Sequence, residues 1–437
     1  MSKNVCMFVW NHFTNDARVL RECTALSEDG YHVDLICIED PNDKELPLFE
    51  QVNPRFTVNR VKRYPTTLIA LQKVYKKILD NKFLLLISAV ILLYLLINIP
   101  IFIICLTFIV VFFLKTKFKG IIIKGNIILR MIAKAYSSKY DIYHANDLNT
   151  LPQAYIASKL RLRRKKLVYD SHEVQTSRTG YNPKTIKLVE SFFIKKIDTM
   201  IVENNTRAEF NEKLYGFYPH VLHNYPFINL DENNEKINLH KLLDLPKNEK
   251  ILLYQGGIQI GRGLDKLVQA VPLFNEGTVV FIGDGKIKPT LIEMVKEMDL
   301  EGKVKFIPKI PLKELPKYTR NAYLGFQVLN NICFNHYSAS SNKLFEYMMA
   351  GVPVVACDFP EIKKVVEEEQ IGICIDSHKP EEIARAVNQI LADEKLRLLF
   401  SENCKKASTK YNWEEEKLIL LKVYNSLLKE KELLLEV

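Results

Sequence analysis

The chain has 437 residues, long enough for two domains of ordinary size. Hydrophobic residues make up 48% and charged residues 26%, which excludes a globally disordered chain. The net charge of +10 favours anionic partners such as nucleic acid, acidic phospholipid or phosphorylated small molecules.

The N-terminus, "MSKNVCMFVWNHF", has no charged head followed by an apolar stretch and a cleavage site, so it does not read as a signal peptide. It reads as a buried strand, Val5–Trp10, and the soluble part is expected in the cytosol. Further short runs rich in β-branched residues follow at Val33–Ile38, Phe56–Val61, Ile142–His144, Leu167–Tyr169 and Met200–Val202. Helix-period stretches such as Ala17–Leu26 and Leu151–Leu160 lie between them, the alternation of βαβ units around a parallel sheet. The eight cysteines are scattered without a Cys-x-x-Cys pair, mostly in strand-like runs. They read as reduced core residues, and no zinc-ligand spacing is present.

One segment breaks the soluble pattern. Phe83 to Leu114, "FLLLISAVILLYLLINIPIFIICLTFIVVFFL", carries no charge and is expected in lipid. It falls between the strands Phe56–Val61 and Ile142–His144, so both ends must emerge on one side if these belong to one sheet. Pro100 divides it into halves of roughly 21–23 Å as helices, against a hydrocarbon core of about 30 Å. A shallow hairpin fits this, and two tilted full crossings remain the alternative. Lys73, Lys76, Lys77 and Lys82 precede it, and Lys115, Lys117, Lys119 and Lys124 follow it, the flank charge expected of two cytosolic ends. A second basic run, "KLRLRRKK" from Lys159 to Lys166, is either a solvated helix end or a contact for anionic lipid head groups. No aromatic-interleaved patch or helix-turn-helix signal accompanies it, so nucleic acid is not expected as a partner.

A second set of strands starts after the polar stretch Asp231–Lys250: Ile251–Tyr254, Val279–Ile282, Val304–Phe306, Leu324–Val328, Val352–Ala356 and Ile373–Ile375. The fold class is therefore α/β, two doubly wound Rossmann-like domains, 1–222 and 223–405, with a terminal helical segment, 406–437. A ligand is expected between the domains, at the carboxyl ends of the strands.

Three stretches carry the chemistry. In "SNKLFEYMMAG", Ser340, Ser341 and Asn342 suit a helix start and Gly351 a helix end. Lys343 and Glu346 then share one face near the first turn. Free backbone N–H groups there attract a diphosphate, Lys343 adds a full charge, and Glu346 can accept two hydrogen bonds from a ribose diol. On spacing alone the pair is equally a surface ion pair. The second stretch, "YQGGIQIGRGLDKLVQAV", places Gly256 and Gly257 at a strand end and Arg262 before the next helix. Glycines admit a close ligand and Arg262 can grip phosphate oxygens bidentately, although an ordinary glycine turn has the same look. It is not the dinucleotide fingerprint. The third, "FIGDGKIKPTL", sets Gly283 at another strand end.

In this order and at these intervals the three stretches resemble the retaining glycosyltransferases of family 4 (group 1), which have the GT-B fold. "DARVLRECTALSEDGYHVDLI", "YDIYHANDL", "VYDSHE" and "VLHNYPF" extend the resemblance through the first half, and "YNWEEEKLILLKVY" looks like the helix that packs back on the first domain. The resemblance implies that Glu346 holds the donor ribose, that Arg262 neutralises the donor diphosphate, and that Lys343 faces the phosphates. Asn342, Gly256, Gly257 and Gly283 complete the donor-binding set. Two positions depart from the pattern. The first glutamate of the family's Glu-x7-Glu motif falls at Ser338, and the arginine expected five residues before Arg262 is Gly257.

On the acceptor side the catalytic candidates are His144 and Asp147 in "HAND" and His172 and Glu173 in "DSHE", with Asp170 beside them, all read as lying just past strand ends. Asp16 and Arg18 can bind acceptor, although Asn15 or Asp16 serves equally as a helix N-cap. The resemblance implies transfer with retention, no metal and no cofactor, and the co-substrate is expected to be a nucleotide-diphosphate sugar, uridine-linked in preference to guanosine-linked. The apolar segment adds a lipid-linked saccharide acceptor at the cytoplasmic face of the membrane, in cell-surface polysaccharide biosynthesis. The rival readings are a nucleotide-sugar epimerase and a catalytically silent membrane scaffold of the same fold.

Overall fold

A computed structural model describes residues 3–14, 16–105, 118–178, 180–228 and 237–433. The chain divides into two compact units, Met1–Asp170 with Phe193–Thr199, and Ser171–Phe192 with Met200–Val437.

In the first unit, β1 (Lys3–Phe8), β2 (Tyr31–Ile38), β3 (Phe49–Asn53), β4 (Phe56–Val61), β5 (Ile142–Asn146) and β6 (Lys166–Ser171) lie in the order β3-β4-β2-β1-β5-β6. All neighbours are parallel except β3, which pairs antiparallel with β4. The near-continuous apolar runs of β1 and β2 follow from burial on both faces, as parallel sheets require. β3 reads "FEQVN", a half-polar edge strand that hydrophobic pattern alone does not reveal. In the second unit, β7 (Thr199–Val202) pairs in parallel with the two-residue β8 (His220–Val221).

The second unit also holds β9 (Ile251–Gln255), β10 (Thr278–Ile282), β11 (Val304–Ile307), β12 (Leu324–Gln327), β13 (Val354–Cys357) and β14 (Gly372–Ile375). They form a parallel sheet in the order β11-β10-β9-β12-β13-β14. Alternation along each strand feeds two separate cores. Leu252, Tyr254, Val279 and Phe281 face one layer of helices, and Ile251, Leu253, Val280 and Ile282 face the other. The chain order reverses between β9 and β12, the switch point where ligands of such sheets bind beyond the strand ends.

The apolar segment differs from a simple hairpin. Helix Thr66–Asp80 is followed by helix Lys82–Asn98, and the two are bent by 108°. Among the described residues no single helix is long and apolar enough to cross a membrane; this bent pair passes only together. Helix Lys82–Asn98 buries none of its residues, and Phe83, Leu86, Leu93 and Ile97 are 60–72% exposed. Ile99 closes that helix and residues 100–105 are helical again, so Pro100 stands at a break, as its fixed φ and missing N–H dictate. The remainder of the expected hairpin, 106–114, lies outside the described residues. Every cysteine is unpaired, and Cys6, Cys23, Cys37, Cys357 and Cys404 are buried.

Candidate functional site

The switch point of the second sheet is built around the end of β9. Helix Asn342–Met349 starts at Ser341 and ends before Gly351, whose φ is +67°. Its Leu344, Phe345, Tyr347 and Met348 are buried in one of the cores. The Tyr347 hydroxyl donates to the Leu253 carbonyl (2.9 Å) and accepts the Gln255 N–H (3.1 Å), which pins the helix to β9. Gly325 on β12 lies flat against the Tyr347 ring, and a Cβ there would stand 2.7 Å from it.

This anchoring sends Lys343 inward. The side chain is only 7% exposed, with Nζ 3.2 Å from the Tyr254 hydroxyl and 4.3 Å from the centre of its ring. The Tyr254 hydroxyl in turn donates to the Gly257 carbonyl at 2.9 Å. Burial, with the Arg262 charge beside it, pushes the Lys343 ammonium down to about 7, while Glu346 acts weakly the other way. Burial pushes the Tyr254 hydroxyl up to about 12, again within reach of the Arg262 charge. Arg262 and Glu346 thus both act electrostatically on Lys343.

Glu346 is half-buried and accepts a hydrogen bond from Gln255 Nε2 at 2.6 Å, while Gln255 Oε1 accepts one from Thr319 at 2.7 Å. Gln255 is fully buried and was not among the residues singled out from sequence. Its signal was available, as the single polar residue between an apolar strand and Gly256–Gly257. Asn342 Oδ1 accepts a hydrogen bond from Asn224 Nδ2 at 3.0 Å. Gly256 has φ +122° and Gly283 φ +148°; a Cβ on Gly283 would stand 2.0 Å from the Gly256 carbonyl oxygen, so the two strand-end turns touch only because Gly283 lacks a side chain.

Ser338, where the resemblance puts a glutamate, is fully buried. Its hydroxyl lies 3.3 Å from Arg207 Nε, and its carbonyl accepts Asn204 Nδ2 at 2.7 Å. Arg207 also bonds the carboxylate of Glu203 and the His172 carbonyl. Arg207 thus links this position to the Glu203 carboxylate, and neither residue was foreseen from sequence.

Residues 235–407 match the family described as Glycosyl transferases group 1. A D-inositol 3-phosphate glycosyltransferase of Xylanimonas cellulosilytica is 25% identical over 241 residues, 52% of this chain and 56% of the relative, so the match spans little more than half of that protein's length. An uncharacterized glycosyltransferase of Methanocaldococcus jannaschii, MJ1607, is 25% identical over 294 residues, 63% of this chain and 73% of the relative. Sucrose-phosphate synthase from Thermosynechococcus elongatus superposes with a TM-score of 0.73 at 17% identity, over 98% of this chain and 100% of that one. A glycosyltransferase from Rickettsia africae does so at 0.63 and 14%, over 98% and 99%. Anabaena Alr3699/HepE in complex with UDP-glucose gives 0.67 and 15%, over 97% and 99%. The fold is a GT-B-like glycosyltransferase fold.

The first unit treats its candidates differently. His144 is not past a strand end: it lies inside β5 and is fully buried. Its Nε2 is 3.8 Å from Glu22 and 3.9 Å from Asp170, both fully buried as well. Glu22, His144 and Asp170 bring their ligand atoms within 4.8 Å of one another, a spacing that can hold a metal ion. Arg18 already supplies a cation there, 3.0 Å from Glu22 and doubly bonded to Asp170 at 2.9 and 3.1 Å. Asp170 likewise belongs to β6 and not to the turn after it. Asp147 does follow β5, half-buried at φ +63°, with its N–H donating to the Asp170 carbonyl at 2.8 Å. Asp16 caps helix Ala17–Glu28 by accepting the Val19 N–H at 3.2 Å and also accepts Asn11 Nδ2 at 2.7 Å; Asn15 lies outside the described residues.

His172 and Glu173 fall in the second unit, apart from Asp170 of "DSHE". His172 is half-buried, and Glu173 is exposed and paired with Arg178 at 3.1 Å. Asn335 fastens this turn by two hydrogen bonds to Val174. The structure thus gathers Gly256, Gly257, Gly283, Arg262, Lys343 and Glu346 at one end of the second sheet. Asp16, Arg18, His144 and Asp147 gather in the first unit. The basic run is partly spent on local partners, with Lys159 on Asp198 at 2.5 Å and Lys165 on Asp141 at 3.3 Å.

Proposed function

We propose that the chain is a retaining glycosyltransferase that moves a sugar from a uridine diphosphate sugar to a lipid-linked saccharide at the cytosolic leaflet, in the assembly of a cell-surface polysaccharide. One observation carries the reading. Lys343 is buried at a sheet's switch point with a phenol as its hydrogen-bond partner, next to a second cation, Arg262. A cation placed so is incompletely compensated, and a diphosphate supplies the missing negative charge. Glu346, held by Gln255 one turn further along the helix, is then placed to accept hydrogen bonds from a ribose diol. The fold-sharing protein Alr3699/HepE is described with UDP and with UDP-glucose bound, which favours the uridine-linked donor.

In the transfer, the bond between the anomeric carbon and the diphosphate oxygen breaks, and a bond to the acceptor hydroxyl oxygen forms. The hydroxyl proton passes to the departing diphosphate. Arg262, Lys343 and the amides at the start of helix Asn342–Met349 stabilise the charge that grows on the leaving group, which is why no metal or cofactor enters the proposal. The exposed apolar helix Lys82–Asn98, preceded by Lys73, Lys76 and Lys77, is the element that holds the enzyme on anionic membrane lipid.

The test is transfer from a panel of nucleotide sugars in membrane extracts, with the lipid-extracted product weighed by mass spectrometry. Lys343→Met and Glu346→Gln should each abolish the product while membrane attachment persists. Undiminished product with both changes sinks the reading; isomerised donor without acceptor would point to the epimerase instead.

A further inference from the structure

The first unit holds a cavity of about 300 Å³ that none of the sequence motifs announced. It opens at the carboxyl ends of β1 and β2. Trp10, Asn11 and His12 come from the turn after β1, Ile38 from the end of β2, and Arg63 from just beyond β4. The opposite wall is the first half of helix Phe118–Tyr136, through Gly120, Ile123, Lys124 and Ile127.

The walls are fixed by their own hydrogen bonds. The Ile38 N–H donates to the Asn11 carbonyl at 2.9 Å, and the Asn11 amide is occupied by Phe13 (2.8 Å) and Asp16 (2.7 Å). Asn126 Nδ2 donates to the Arg63 carbonyl at 3.2 Å, and Asn126 Oδ1 accepts Arg130 Nε at 3.1 Å, tying the helix to the chain beyond β4. Ile127, Met131 and Ala135 are buried at four-residue spacing, so Ile123 continues their stripe out of the core and into the cavity.

The lining is sorted by chemistry. Two cations, Arg63 and Lys124, face a space whose lining contains no carboxylate, and neither makes an ion pair among the described residues. Glu39, the nearby acid, accepts the backbone N–H of Arg63 at 3.2 Å. His12 Nδ1 lies 3.1 Å from the Ile38 carbonyl, which can only accept, so Nδ1 carries the hydrogen and Nε2 is left to meet a hydroxyl. Trp10 offers an indole face, and Ile38, Ile123 and Ile127 offer an apolar wall. On the same helix Ile121 and Ile122 are 61% and 43% exposed.

We infer that this cavity receives the phosphate-bearing end of an amphiphilic acceptor, with Arg63 and Lys124 on the phosphate, Trp10 and His12 on the adjoining sugar, and Ile123 and Ile127 along the first carbons of the lipid chain. The inference rests on the lipid-linked acceptor proposed above and names the chemistry that recognises it. Guanidinium and ammonium groups match phosphate oxygens, and the apolar stripe distinguishes an alkyl phosphate from free phosphate.

The full chain reports on this cavity through its own fluorescence. Trp10 and Trp413 are its two tryptophans, and Trp413 is buried in the second unit. Octyl phosphate, kept below its micelle concentration, should shift the emission saturably, and Trp10→Phe should remove the shift. Arg63→Ala with Lys124→Ala should weaken binding at least about tenfold, the value of one charge-assisted hydrogen bond. Inorganic phosphate and octanol alone should each bind at least about tenfold more weakly than octyl phosphate. Equal affinity in the double variant, or inorganic phosphate binding as tightly as octyl phosphate, overturns the inference. UDP titrated into the same samples separates the two proposals: UDP binding without octyl phosphate binding sinks the cavity alone.

Discussion

Each unit buries a cation at the heart of its polar cluster, and the two are treated in opposite ways. Arg18 is 5% exposed and meets two carboxylates, Glu22 and Asp170, the latter through both ends of its guanidinium. Lys343 is 7% exposed and meets a phenol, and burial first, then the Arg262 charge, pushes its ammonium down to about 7. A buried charge is tolerated where it is paired and hydrogen-bonded, as Arg18 is. Lys343 is left incompletely compensated, a state that folding alone does not favour and that an incoming anion relieves. Closed compensation marks a structural joint, and open compensation marks a binding site.

The largest effect should come from opening the closed cluster. Asp170→Ala removes one of the two buried carboxylates that meet Arg18 and one of the two beside His144, and removal of one partner from a buried pair costs about 3–5 kcal/mol. Denaturant unfolding followed on the first unit should show that loss. Lys343→Met, an apolar replacement of similar length, should leave stability unchanged or raised, because no carboxylate hydrogen-bonds it. If Lys343→Met destabilises as much as Asp170→Ala, the contrast between the two clusters is wrong.

A sharper contrast lies in pH. The unfolded chain keeps Lys343 protonated up to its ordinary range near 10.5, whereas the folded site releases the proton near 7. Between these values the unfolded chain binds more protons, so this group's contribution to stability rises with pH across that window and is lowest below pH 7. A diphosphate restores the charge, so its binding takes up a proton above pH 7. Affinity should then fall with rising pH, toward about tenfold per pH unit. Calorimetric titration of UDP at pH 8, in two buffers of unlike ionisation heat, measures the uptake directly. Equal heats in both buffers, or an unchanged uptake in Lys343→Met, refutes the assignment.

Much of this contrast was visible in the amino-acid sequence, and the invisible part has a physical reason. Apolar β-branched runs marked most strands of both sheets because both sheets are buried on two faces. The edge strand β3 and the two-residue β8 carry no such pattern and were missed. Lys343 and Glu346 were found because helix spacing is local. Their partners Tyr254 and Gln255 lie 89 and 91 residues away, and no period reports such contacts. His144 was misplaced for the same reason: "IYHAN" reads as a strand ending at the histidine, yet β5 runs on to Asn146 and the acids beside the buried His144, Glu22 and Asp170, are distant in sequence. The cavity beneath helix Phe118–Tyr136 escaped entirely, since Trp10, Arg63 and Lys124 meet only once three strand ends and that helix are assembled.

The smallest expected effect concerns Asp16, which sequence left open between helix cap and acceptor ligand. In the structure its two oxygens are taken by the Val19 N–H and the Asn11 amide. Loss of the cap in Asp16→Ala should cost about 1 kcal/mol, and Asp16→Asn, which keeps an acceptor for the Val19 N–H, should recover most of it. Asn11 also holds the Phe13 N–H, and Phe13 sits at φ +54°, so a loosened Asn11 relaxes the turn that presents Trp10 and His12. UDP affinity should not change, because sites without shared partners act independently. A fall in UDP affinity approaching that of Lys343→Met would show that this turn and the end of β9 are energetically one site, and the contrast between a closed cluster and an open one would no longer separate the two units.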